Sequence, residues 1–134
     1  MTKEEWFGPL ADSDDPIRDL KQLLMRYSKE ITTNGKLEQG CALNNLAQEM
    51  APLDEGFRRR IERVFNEWRE MLTSAFARGI RAGNVRKDVH PRQVAAFVVA
   101  VQSGIMGTAK NAQSTEILRQ AGAAFFDYLD SLKP

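Results

Sequence analysis

Cysteine and histidine each occur once in the 134 residues. A lone cysteine cannot build an internal disulfide framework or a cysteine-based zinc site, and it fits a reducing compartment. A lone histidine makes the common histidine-rich metal and acid–base constellations impossible within one chain. Charge of one sign is lacking too: 19 basic side chains stand against 18 acidic ones, a net +1, with no broad field for a nucleic-acid or membrane surface. Long hydrophobic runs are missing. The longest, Val94 to Val101, falls far short of the ~20 residues that span a bilayer. The N-terminus, Met1-Thr2-Lys3-Glu4-Glu5, has no apolar stretch behind it and does not read as a signal peptide. No strand-like alternation, internal repeat or low-complexity tract is found. What is present is ordinary: 43% hydrophobic and 28% charged residues, close to the globular average. The expectation is one soluble, cytoplasmic domain, large enough to bury one core.

The apolar period is helical almost throughout. Ile17, Leu20, Leu24, Tyr27 and Ile31 advance by three or four residues, with Asp15-Pro16 as the start and Asn34-Gly35 as the stop. A short helix is predicted over about 39–50, halted by Pro52. Asp54 then caps a long helix striped by Phe57, Ile61, Val64, Phe65, Trp68, Met71, Leu72, Ala75 and Phe76, which Gly83-Asn84 closes. A polar connection carrying Val85 and Val89 leads to Pro91. From there a helix to about Lys110 has an apolar surface wider than one stripe, which implies burial on two sides. The last helix, about 115–132, carries Ile117, Leu118, Ala121, Ala124, Phe125, Tyr128 and Leu129. The fold class is all-α, a bundle of about five helices.

Catalytic chemistry is hard to find. Cys41 and His90 are far apart in sequence, and a buried structural thiol is the commoner reading of such a cysteine. His90 stands where a helix begins, to cap it or to face water. Asp12-Ser13-Asp14-Asp15 lacks the glycine and closing glutamate of a calcium loop, so helix capping accounts for it better. Arg58-Arg59-Arg60 is offset by Asp54, Glu55, Glu62 and Glu67 and reads as a solvated helix face. No enzyme, metal site or cofactor is expected. The informative cluster is Asn44, Asn45 and Gln48 in an otherwise apolar helix: such amides either hold a neighbouring loop or face a polar atom of a ligand. Tyr27, Trp68, Phe76, Gln102 and Met106 pose the same choice between core and pocket.

Three motifs carry a resemblance. Gly40-Cys41-x-x-Asn44-Asn45-Leu46-Ala47-Gln48-Glu49, Asp54-Glu55-x-Phe57-Arg58 and Gly83-x-Val85-x-x-Asp88-Val89 resemble the C-terminal regulatory domain of TetR-family transcriptional repressors, over about Trp6 to Leu132. The resemblance implies a bundle with an internal pocket for a small, mostly apolar effector, met here by Tyr27, Asn44, Asn45, Gln48, Trp68, Gln102 and Met106. It also implies a homodimer in which the last two long helices of each subunit form a four-helix bundle. Phe97, Val101, Gly104, Ile105, Leu118, Ala121, Phe125 and Tyr128 would then meet the partner, with Gly107 and Ala124 allowing close approach. The family's helix-turn-helix precedes this domain and has no counterpart here. Residues 1–134 are therefore expected to form a single effector-binding and dimerisation domain, with 2–7 as the tail of a linking helix. The alternative is a helical dimerisation module without a ligand that pairs with an intact regulator.

Overall fold

The computed structural model describes residues 8–35, 37 and 42–134. Cys41 and the expected linking-helix tail at 2–7 lie outside the described residues, as do the first positions of the predicted short helix. A 3-10 turn at Gly8–Leu10 precedes five α-helices among the described residues, and no strand is present among them. They are α1 (Pro16–Thr33), α2 (Ala42–Met50), α3 (Glu55–Ala82), α4 (Pro91–Ala112) and α5 (Thr115–Asp130). The all-α expectation holds.

The ends follow local chemistry. The Asp15 carboxylate accepts the Arg18 amide at the head of α1, and Asp54 does the same for Phe57 at the head of α3. Gly35 and Gly83 take left-handed φ of 66° and 83° just past the ends of these helices, which costs glycine little. Ser114 caps α5 by accepting the Ile117 amide. His90 precedes α4 without capping it and is exposed, so of its two expected roles the ring faces water. Of the Asp12–Asp15 run, Ser13 is buried; it accepts the Asp15 amide and donates to Asp19 at 2.6 Å.

The most extensive packing is α3 on α4, followed by α4 on α5. Helix α1 lies against α3 and α5, while α2 packs mainly on α3. Trp68, Leu72, Ala75 and Phe76 bring the α3 stripe into the main core, where Ile17, Leu20, Val94, Val98, Phe125 and Leu129 meet them. Val85 and Val89, isolated apolar residues in a polar connection, are buried in it as well. A smaller cluster of Ile31, Leu37, Met106, Ala109 and Leu118 forms at the far end of α1. Tyr27 and Ile105 pack against both clusters and mark the seam between them.

The segment before α1 is tied down from α3. The Arg78 guanidinium donates to the carbonyls of Ser13 at 2.8 Å and Leu10 at 2.7 Å, and Asn84 donates to Asp14 at 2.9 Å. Leu10 itself is fully buried. At the other terminus the Arg86 amide donates to the Leu132 carbonyl, holding the end of the chain against the α3–α4 connection.

Candidate functional site

The seam between the clusters opens into a cavity of about 440 Å³ bounded by α1, α4 and α5. Helix α1 contributes Leu24, Tyr27, Ser28, Lys29, Ile31 and Thr32, successive turns of one face. From α4 come Gln102, Ile105 and Met106, spaced at three and four residues, and from α5 Leu118, Arg119, Gly122, Phe125 and Phe126. Gly122 and Ala123 add little or no side chain to this wall, and a Cβ placed on Gly122 would meet nothing within 4 Å. Its walls are mainly apolar, with a few polar groups, as small-molecule sites usually are.

The polar groups differ in how far they are committed. Thr32 donates its hydroxyl to the Ser28 and Lys29 carbonyls, so α1 itself uses it. Arg119 is held by Glu116, Nε to Oε2 at 3.0 Å and Nη2 to Oε1 at 2.5 Å, and this contact lowers the Glu116 carboxyl below its ordinary range. Near the rim, Lys21 reaches from α1 to α5, donating to both Asp130 oxygens at 2.8 and 3.0 Å with its ammonium 5.4 Å from the Phe126 ring centre. Donation from Lys21, and then from Lys133, holds the Asp130 carboxyl below the usual carboxylate range. This cross-link fixes one edge of the cavity. The arrangement can bind and orient a small molecule.

The seven expected ligand contacts divide. Tyr27, Gln102 and Met106 line the cavity. Asn44, Asn45, Gln48 and Trp68 do not. Gln48 is exposed on α2, and Asn44 and Asn45 are half-buried there; the main neighbour of α2 is α3, which does not line the cavity. Trp68 is 8% exposed in the main core, edge-on to Phe65 with ring centres 5.4 Å apart. Residues missed by sequence reasoning are Ser28, Lys29, Arg119, Gly122 and Phe126. Their only signal was position: Ser28 and Gly122 stand four residues after Leu24 and Leu118, Lys29 and Arg119 directly follow Ser28 and Leu118, and Phe126 lies four past Gly122.

The residues expected at a partner surface divide as well. Phe97 is 45% exposed and meets Tyr128 edge-on, with ring centres 4.7 Å apart, so the outer faces of α4 and α5 are joined by an aromatic pair. Burial raises the Tyr128 hydroxyl above its ordinary pKa. Gly104 is exposed, Val101 and Ala121 are half-buried, and a Cβ added at Gly104 or Gly107 would meet nothing within 4 Å. Leu118 and Phe125, 7% and 4% exposed, point inward instead and leave little surface for another chain. Ile105 lines the cavity. On α3, Arg58 and Arg59 both pair with Glu55, at 2.6 and 3.3 Å, as a solvated face would. No described helix is long and apolar enough to cross a membrane.

Residues 16–125 match the family described as "Tetracyclin repressor-like, C-terminal domain". A curated relative, the HTH-type transcriptional repressor DhaR of Mycobacterium sp. (strain GP1), is 29% identical over 91 residues. That alignment covers 68% of this chain and 46% of the repressor, so the chain corresponds to about half of its relative. The crystal structure of regulatory protein TetR from Rhodobacter sphaeroides superposes with a TM-score of 0.79 at 21% identity, over 92% of this chain and 66% of that one. At that identity the likeness speaks for the fold.

Proposed function

The chain belongs to the tetracycline-repressor-like (TetR) family through its C-terminal domain, and on that premise we propose that it is the effector-binding and dimerisation domain of a transcriptional regulator, working in the cytoplasm by binding and not by catalysis. A small, mostly apolar effector occupies the cavity between α1, α4 and α5 and touches Tyr27, Gln102 and Met106. Two copies pair through the outer faces of α4 and α5, where Phe97, Val101, Gly104, Ala121 and Tyr128 meet their counterparts in a four-helix bundle. Operator DNA is contacted by a helix-turn-helix, the element named in the curated relative. Effector occupancy favours one spacing of the two subunits, in proportion to its differential affinity for the two states.

One observation carries the reading: α4 and α5 line the cavity on one side and keep an apolar, small-residue face on the other. A ligand in the cavity thus bears on the same two helices that would meet a partner. The Arg78 clamp adds a route toward the chain's beginning, because α3 packs along α4 and holds the segment at 10–13. The cavity also favours this reading over a ligand-free pairing module. Native mass spectrometry of the purified protein tests it. A species at twice 15.1 kDa carrying an added small mass supports the sensor. A bare monomer at micromolar concentration overturns it.

A further inference from the structure

Resting on that reading of the cavity, we infer that its occupant is an organic anion with an apolar tail, a medium-chain or aryl-alkyl carboxylate. The charge of the lining points there. Two cationic residues, Lys29 and Arg119, both exposed, are among those lining it, and no acidic residue is. Glu116, which engages Arg119, lies outside the lining, and its two contacts leave the guanidinium Nη1 uncommitted. Lys29 forms no ion pair among the described residues. An ammonium on a flexible four-carbon stem can lay its methylenes along the apolar wall while its head meets an anion.

The neutral donors agree with the charges. The Gln102 carboxamide, half-buried on α4, makes no hydrogen bond with another described residue, so its N–H groups are available to an acceptor. A carboxylate is acceptor-only, and taking it from water is costly unless a cation and a donor receive it together. A cationic ligand would meet Lys29 and Arg119 with no acidic residue in the lining to receive it, the nearby Glu116 being engaged by Arg119. The remaining wall, Leu24, Ile31, Ile105, Met106, Leu118 and Phe125, suits a hydrocarbon tail. A volume of about 440 Å³ lies in the lower part of the usual ~300–1,000 Å³ range for small-molecule sites, which favours one ring or a medium chain over a bulky conjugate.

Isothermal titration calorimetry on the full chain decides the matter, with two matched pairs: decanoate against 1-decanol, and 3-phenylpropionate against 3-phenyl-1-propanol, plus decylammonium as the cation. At least one carboxylate should bind about tenfold or more tightly than its alcohol, decylammonium should not bind, and added salt should weaken the carboxylate alone. Lys29→Gln should weaken that carboxylate about tenfold, with Arg119 and Gln102 still in place, and weaken its alcohol far less; Lys29 is exposed, so the fold tolerates the change. Alcohols binding as tightly as their acids, or a Lys29→Gln variant indistinguishable from the parent, would overturn the anion inference and leave the sensor reading standing. Silence from every compound would overturn both.

Discussion

Gly79 on α3 and Pro16 at the head of α1 approach so closely that a Cβ on Gly79 would stand 2.7 Å from the proline Cδ and equally close to Val85 Cγ2. The first turn of α1, the end of α3 and the α3–α4 connection meet at this point. Glycine is needed here for space and not for φ, since its backbone is helical. Gly79→Ala should destabilise the protein by ~1–3 kcal/mol through overpacking, even though alanine suits a helix better by ~1 kcal/mol. Denaturant unfolding of the two proteins checks the sign.

Arg78 should matter through geometry more than through charge. Its planar fork reaches two carbonyls at once, those of Leu10 and Ser13, and a lysine ammonium cannot reproduce both directions. Arg78→Lys is therefore expected to cost ~1–3 kcal/mol and to expose the segment before α1 to limited proteolysis. A variant as resistant as the parent would show that the clamp is dispensable.

Gly104 offers a clean test of the outer face. A Cβ there meets nothing within 4 Å in its own protomer and the position is exposed, so Gly104→Arg should leave the monomer folded with no loss of helix content. In a paired four-helix bundle the same guanidinium would be buried without a partner, a cost of several kcal/mol. Light scattering should then show a monomer where the parent is a dimer. A mutant that stays dimeric puts the interface elsewhere.

Gly122 probes the cavity from within. It lines the space, and a Cβ added there has no neighbour within 4 Å. Gly122→Leu should fill the cavity, keep the stability of the parent and lose effector affinity by about tenfold or more, as titration calorimetry would register.

Acid should weaken the fold at the carboxylates whose pKa is lowered, Asp130 and Asp19 along with the exposed Glu116 and Glu55. Donation from Lys21 and Lys133 lowers the Asp130 pKa; at Asp19 burial pushes upward, and the hydrogen bonds from Arg18 and Ser13 prevail. A folded-state pKa below the unfolded value contributes stability that is present above the unfolded pKa of about 4 and lost as pH falls through the folded one. The unfolding midpoint should hold between neutrality and about pH 5, then fall. Asp130→Asn should lower the neutral midpoint and flatten that fall.

The helices were legible because their signals are local. Asp15-Pro16, Asp54 and Gly83 act within one turn of themselves, and the stripe from Ile61 to Phe76 declares its own period. The site was only partly legible because it depends on which helix faces which. Asn44 and Gln48 share a face on any helix, yet only the packing of α2 on α3, which does not line the cavity, keeps them out of it. Leu118 and Phe125 look like partner contacts on a helix that is apolar on two sides, and period alone does not separate the inner side from the outer. Lys29 belongs to no motif, and its place in the lining follows only from how α1, α4 and α5 come together.

The two-sidedness of α4 and α5 reaches beyond a single molecule. On the proposed reading, occupancy of the cavity and pairing of the outer faces would be linked through the same backbone, and such linkage is reciprocal: what the ligand does to association, association does to ligand affinity. The concentration of effector that half-saturates the protein then has no fixed value, and drifts with the protein's own abundance. Two cells holding the same effector but different copy numbers would switch at different doses, so a regulator of this build reports its own expression level along with the molecule it senses.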